Sequence, residues 1–216
     1  MDLKQIQEQC LVRIVDDDEA MRKSWNFLIE GEGWKTSCYA GAFRFLEEDD
    51  DSLPGCVILD VRMPNMSGIE LQRIMGIQSN HLPIIFVSAH GDIDMAVQAL
   101  KDGAFDFLPK PVSAERLLAA IEKACLISCE LHESEQREKA ARDNFNSLTQ
   151  REKMVARKVA LGLLNKQIAD ELDISEKTVQ AHRGAVCRKL GVKSAVGVAA
   201  ILRIIHEDAG DGEIAR

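Results

Sequence analysis

No apolar run in this 216-residue chain approaches the ~18 residues needed to cross a bilayer. The opening MDLKQIQEQC also lacks the pattern of a secretory signal. Both absences lead to the expectation of a cytoplasmic protein with no membrane partner. CxxC pairs are missing too, so Cys10, Cys38, Cys56, Cys125, Cys129 and Cys187 are expected to be reduced and mostly packed in a core. Between Ala114 and Arg142 there is neither glycine nor proline, and nothing there stops a helix. What is present is enough apolar material for a core, 46% against 29% charged. The length allows one large domain or two small ones.

The charge is divided unevenly. Residues 148–206 hold 11 Lys/Arg against 5 Asp/Glu, leaving 16 against 30 in the remainder of the chain. A net charge of −8 therefore conceals a basic C-terminal part and an acidic N-terminal one, as expected of two domains with different partners.

In the first half, apolar strand-like runs alternate with segments of helical spacing. CLVRIVD, WKTSCYA, GCVILD, PIIFVSA and AFDFLPKP read as strands. Glu19–Glu30, Ala42–Glu48, Ser67–Ile77, Ile93–Leu100 and the segment from Ser113 read as helices. Continuous apolar strands between amphipathic helices indicate a parallel sheet covered on both faces. In such sheets ligands bind at the carboxyl ends of the strands. Those ends carry Asp16, Asp17 and Asp18, then Asp60, then Ser88, with Lys110 after the last strand. Singly, each has an ordinary explanation: acids after strands often cap helices, and a lysine before proline is usually solvated. Their convergence on one edge is what points to a site. Clustered carboxylates repel unless a hard dication joins them, and Mg²⁺ takes oxygen ligands while keeping waters for a phosphate. A phosphoryl group could then be accepted by Asp60, with Lys110 and Ser88 contacting its oxygens.

The motifs VDDDEAMR, ILDVRMPNMSG, FVSAHGD and ALKDGAFDFLPKP resemble a response-regulator receiver domain, a flavodoxin-like (βα)5 fold with a five-stranded parallel sheet. The resemblance implies Asp60 as phospho-acceptor and Asp16, Asp17, Asp60 and the Arg62 carbonyl around Mg²⁺. It makes Ser88 the switch hydroxyl and Phe107 the aromatic switch, packing inward when Asp60 is phosphorylated. A phenylalanine has no hydroxyl with which to report its position, so its signal must come from packing alone. The repacked face would span Asp92–Ala124.

Residues 125–146 are expected to form a helical linker between a receiver at 1–124 and a third segment at 147–216. Cys125, Cys129 and His132 fall at i, i+4 and i+7, so a helix puts them on one face. They could supply metal ligands across a helical dimer, although a half-buried seam is the simpler expectation.

In the third segment Thr149 with Glu152 forms a capping box, Asn165 begins a two-turn helix, and Ser175 caps a longer basic helix that stops at Gly191. A short helix, a tight turn and a basic helix suit a helix-turn-helix. The stretch from LTQREKMVARK to CRKLGV resembles the LuxR/NarL-type DNA-binding domain, a four-helix unit whose third helix enters the major groove and whose last helix pairs subunits. By position the resemblance implies phosphate contacts at Lys166, Lys177, Thr178, His182, Arg183 and Lys189. Gln180, Ala181 and Gly184 would lie nearest the bases. Gln180 and Gly184 stand where some members carry lysine, so direct readout is thin: Gln favours adenine and Gly offers no side chain.

Together the halves resemble a FixJ/NarL-type response regulator, a non-enzymatic transcription factor. The implied partners are a sensor histidine kinase, double-stranded promoter DNA, a second subunit on phosphorylation and possible contact with RNA polymerase. Phosphorylation would promote dimerisation, release of the DNA-binding domain, or both. Two alternatives stand beside this reading: a phosphatase-like enzyme, disfavoured by the fused helix-turn-helix, and a receiver acting as an unphosphorylated dimer module.

Overall fold

The computed structural model describes residues 1–89 and 93–206. Asp92, the start of the expected switch face, lies outside them, as do residues 207–216 of the expected DNA-binding segment. The chain divides into two compact units, Met1–His132 and Glu133–Arg216.

The first unit begins with a helix that the sequence reading did not anticipate, α1 (Leu3–Gln9), started by a capping box between Asp2 and Gln5. There follow β1 (Leu11–Val15), α2 (Glu19–Gly31), β2 (Lys35–Tyr39), α3 (Ala42–Glu48), β3 (Gly55–Leu59), α4 (Gly68–Ile77), β4 (Ile84–Ser88), α5 (Ile93–Lys101), β5 (Asp106–Pro109) and α6 (Ala114–Asn146). The sheet is wholly parallel in the order β2-β1-β3-β4-β5. This is the flavodoxin-like arrangement expected, with its order reversing between β1 and β3.

Both faces of the sheet are apolar, and the two-residue period of a strand sorts its side chains between two cores. Val12, Ile14, Cys56, Ile58, Ile85, Val87 and Leu108 pack with Ile29 of α2 and with Leu117, Ile121 and Cys125 of α6. Val15, Val57, Leu59, Ile84, Phe86 and Phe107 pack with Phe45 of α3, Leu71 and Met75 of α4 and Ala99 of α5. Each such aliphatic side chain stabilises the fold by about 1.5–3 kcal/mol on burial. Among these apolar neighbours β1 carries one buried cation, Arg13, which donates to Asp49 and to the carbonyls of Leu11, Asp50 and Leu53. Tyr39 also donates to Asp49, at 2.6 Å.

The expected linker does not stand apart from the two cores. Cys125 and Cys129 belong to the first core, and Ala141 and Phe145, on the last turns of α6, belong to the core of the second unit. That second core also gathers residues of α7 (Gln150–Ala160), α8 (Asn165–Leu172), α9 (Glu176–Lys189) and α10 (Ala195–Ile204). Thr149 caps α7 in the expected capping box. Asn165 begins α8, as expected, with Leu164 at the N-cap. Asp173 closes that helix in the left-handed region, with φ 50°, and Ser175 caps α9.

Candidate functional site: an acidic crevice and a basic helix face

Register brings the acids together. Val15 lies opposite Leu59 in the β1–β3 pairing, so Asp16 and Asp60 emerge side by side one residue beyond their strands. The Asp60 amide donates to the Val15 carbonyl at 2.9 Å. Two strands further, Ser88 pairs with Pro109, and the Lys110 amide donates to the Ser88 carbonyl at 2.9 Å. Asp60, Ser88 and Lys110 are thereby delivered to the same edge of the sheet, at the point where the strand order reverses.

Asp16 and Asp60 are 5% and 8% exposed, and Lys110 Nζ donates to both, at 3.1 and 2.9 Å. One ammonium group thus serves two buried carboxylates, a geometry in which repulsion between the acids is offset by a shared cation. Burial pushes the Asp16 carboxyl above its ordinary value, outweighing the opposing pull of the Asp18 amide and of Lys110. Burial pulls Lys110 down, but the carboxylates of Asp60 and Asp16 together hold its ammonium above the ordinary lysine value.

The loop after β3 holds Asp60 in place. The Arg62 amide donates to Asp60 Oδ2 at 2.7 Å, the Gly68 amide to the Val61 carbonyl at 2.9 Å, and Ser67 with Glu70 caps α4. Asn65 takes the left-handed turn, with φ 67°. Gly68 is required by a close approach: a Cβ there would lie 2.2 Å from the Asp60 carbonyl oxygen. This positioning role was not legible in the sequence, since it depends on where the first turn of α4 meets the strand end.

Asp18, rather than Asp17, caps α2 by accepting from the amides of Ala20 and Met21. Asp17, next in the chain after the buried Asp16, is exposed. The donor set suits a hard dication: Asp16 and Asp60 lie near enough for one cation to reach both, and Asp17 supplies a third carboxylate on the same loop. Among the described residues, however, no three acidic, histidine or cysteine side chains are drawn together as a ready-made metal cluster. That applies equally to the trio Cys125, Cys129 and His132.

Ser88 is buried at the end of β4, and Phe107 is only 9% exposed, with its ring centroid 5.8 Å from that of Phe86. The inward position expected of Phe107 after phosphorylation is therefore already taken in this structure.

In the second unit, Lys177, Gln180, Ala181, Gly184 and Arg188 are all exposed and share one face of α9, at helical spacing. Val179 and Val186 lie on the opposite face, in the core. Lys166, on α8, and Thr178, whose hydroxyl is 2.8 Å from that of Ser175, are exposed too; His182 is half-buried. An open groove of about 770 Å³ is lined by Lys166, Gln180, Arg183 and Gly184 among others.

Two expected phosphate contacts make interactions within the fold. Arg183 donates to the Asn165 side chain at 2.9 Å, bracing α8 against α9. Lys189 donates at 2.7 Å to the buried Glu152, which also caps α7. That lysine, followed by the Thr149 amide, holds the Glu152 carboxyl below its ordinary value. Arg188, which was not among the contacts inferred by position, lies on the same exposed face, four residues after Gly184.

Comparison with known proteins bears on both units. Residues 12–122 match the response regulator receiver domain, and residues 146–202 match the bacterial regulatory proteins of the luxR family. The chain belongs to the response-regulator family. This response regulator is 44% identical over 184 residues to the response regulator protein TodT of Pseudomonas putida, covering 85% of this chain and 81% of that one. It is 40% identical to the transcriptional regulatory protein FixJ of Rhizobium meliloti, over 85% and 90% of the two chains. The response regulator StyR, a solved structure, superposes with a TM-score of 0.84 at 40% identity, over 90% of this chain and 98% of that one. A receiver joined to a LuxR-type DNA-binding domain is the make-up of two-component transcriptional regulators, and its relatives are regulators of transcription. Among the described residues, no helix of this response regulator is long and apolar enough to cross a membrane.

Proposed function

We propose that Asp60 accepts a phosphoryl group from a sensor histidine kinase in the cytoplasm, and that its phosphorylation promotes binding of the α9 face to promoter DNA. The observation that carries this reading is Lys110 bridging Asp16 and Asp60 in a buried crevice at the switch point of the sheet. The carboxylate of Asp60 is the nucleophile. The Arg62 amide fixes one of its oxygens, so the other is left facing Lys110. Asp16, Asp17, Asp60 and the Arg62 carbonyl would hold Mg²⁺, which when bound neutralises phosphoryl oxygens. On transfer, the Asp60 oxygen bonds to phosphorus and the bond to the donor's histidine nitrogen breaks. Asp60 then carries about −2 charge, and Lys110 follows that charge toward the phosphoryl oxygens, joined by the Ser88 hydroxyl.

The response travels along α5, β5 and the first turns of α6. Since Phe107 is already inside, packing around it rather than its entry carries the signal. Ile93, Val97 and Leu100 are exposed at helical spacing on α5, an apolar stripe suited to pairing with a second subunit. Dimerisation would place two α9 helices on paired half-sites, where a contact with RNA polymerase is open to the bound protein. Lys166, Lys177, Thr178, His182 and Arg188 contact phosphates. Gln180 reads a base with Ala181 and Gly184 beside it, and Arg183 and Lys189 hold the reading helix in place.

Incubation of the full chain with a small phosphodonor, followed by peptide mapping, tests the crevice. The expected result is one added phosphoryl group, on Asp60, with labelling slowed roughly 100-fold by chelation of Mg²⁺, in line with a metal contribution of several kcal/mol. Labelling elsewhere, or at full rate in chelator, contradicts the assignment.

A further inference from the structure

Four of the six cysteines meet between the sheet and α6. Cys10 immediately precedes β1, Cys56 lies in β3, and Cys125 and Cys129 are one turn apart on α6. All four are buried and none is disulfide-bonded. Cys10 Sγ lies 3.2 Å from Cys129 Sγ, and Cys125 Sγ lies 3.8 Å from Cys56 Sγ. A buried cysteine usually behaves as a small apolar side chain, and Cys56 and Cys125 fit that description. Cys10 and Cys129 differ in their approach. A disulfide bond is about 2.0 Å long, so these two sulfurs need to close by only about 1.2 Å, although 119 positions separate them in the chain.

We propose that Cys10 and Cys129 are a site of reversible oxidation, forming a disulfide in response to hydroperoxides and tying the start of β1 to α6. The chemistry is supported by the state of Cys10. Hydrogen bonding with Cys125 brings its thiol down to about 7, against the opposing effect of burial and with help from Cys129 and Arg13. That lowering favours the thiolate, which is the attacking species. It attacks a peroxide oxygen, the O–O bond breaks, and the released hydroxide takes a proton to leave as water. The resulting Cys10 sulfenic acid is attacked by Cys129; the S–S bond forms and the sulfenic oxygen departs as a second water, taking the Cys129 proton. Two thiols are oxidised to one disulfide while one hydrogen peroxide is reduced to two waters. Because Cys129 lies three residues before the end of the first unit, the bond secures the last receiver turn of α6 to the sheet.

The test uses the full chain carrying Cys38→Ser and Cys187→Ser, which removes the exposed and half-buried thiols. The folded protein is treated with hydrogen peroxide, alkylated in denaturant and mapped by mass spectrometry. The expected product is a Cys10–Cys129 cross-linked peptide that disappears on reduction with dithiothreitol. Closure of so long a loop should raise the unfolding midpoint of the first unit by roughly 5–15 °C, and Cys129→Ala should abolish both the cross-link and the rise. If that variant folds poorly, the oxidised and reduced forms of the parent protein still give the comparison. Cys10 and Cys129 both recovered as alkylated thiols, a dominant Cys56–Cys125 pair, or a cross-link seen only after oxidation in denaturant would each overturn the proposal.

Discussion

The two units place their polar groups in opposite ways. In the first, Asp16, Asp60, Ser88 and Lys110 are drawn into a buried crevice where each depends on its neighbours. In the second, Lys177, Gln180, Ala181, Gly184 and Arg188 lie along the open face of one helix. The chemistry accounts for the difference. Accepting a phosphoryl group requires charges at fixed distances in a medium that screens them little, whereas DNA offers a long array of phosphates that can be met by independent contacts. Substitutions in the crevice should therefore have large and coupled effects, and substitutions on the helix face small and separable ones.

The strongest challenge to that contrast is Gly68→Ala, which changes no charge. Its Cβ would lie 2.2 Å from the Asp60 carbonyl oxygen, so the loop must shift. The first unit should lose about 1–3 kcal/mol, and Asp60 labelling by a phosphodonor should slow roughly tenfold or more. Chemical denaturation and labelling rates measure the two effects; unchanged labelling would mean that the loop does not position Asp60.

On the helix face, Gln180→Ala should reduce the ratio of cognate to random DNA affinity roughly fivefold or more, as expected when one base contact is lost. Lys177→Ala should instead weaken both equally and reduce the salt slope by about 1. Equilibrium binding at several salt concentrations separates the two. Equal loss on both DNAs for Gln180→Ala would remove it from base readout.

The smallest effect is expected where the second unit does hold a buried charge. Glu152→Gln retains the capping-box geometry but loses the charge paired with Lys189, at a cost of about 1 kcal/mol at pH 7. Since the Glu152 carboxyl is held below its ordinary 4.5, its contribution is fully present above that value and is lost as pH falls through the lowered one. Unfolding free energies of the two proteins should therefore converge in acid; a gap that persists there would mean that the charge is not its source.

How much of this was legible in the sequence depends on how local each signal is. Asp60 and Lys110 could be found because long apolar runs mark the buried strands, and a parallel sheet brings all their carboxyl ends to one edge. The first helix was legible in Asp2 and Gln5, whose capping box sits in a stretch read only for targeting signals. The hydrogen bonds that Arg183 and Lys189 make within the fold were not legible: their partners Asn165 and Glu152 lie 18 and 37 positions away. Gly68 belongs with them, since its neighbour is a backbone oxygen brought near by folding. The sulfur contact between Cys10 and Cys129 is likewise invisible in any spacing rule.

Whether the charge state of Asp60 governs DNA binding is decided by measuring promoter-fragment affinity with and without a phosphodonor and Mg²⁺, for the natural chain and for Asp60→Asn. We predict tighter binding on phosphorylation of the natural chain and no response in the variant. An equal response in both, or none in the phosphorylated natural chain, would contradict the prediction.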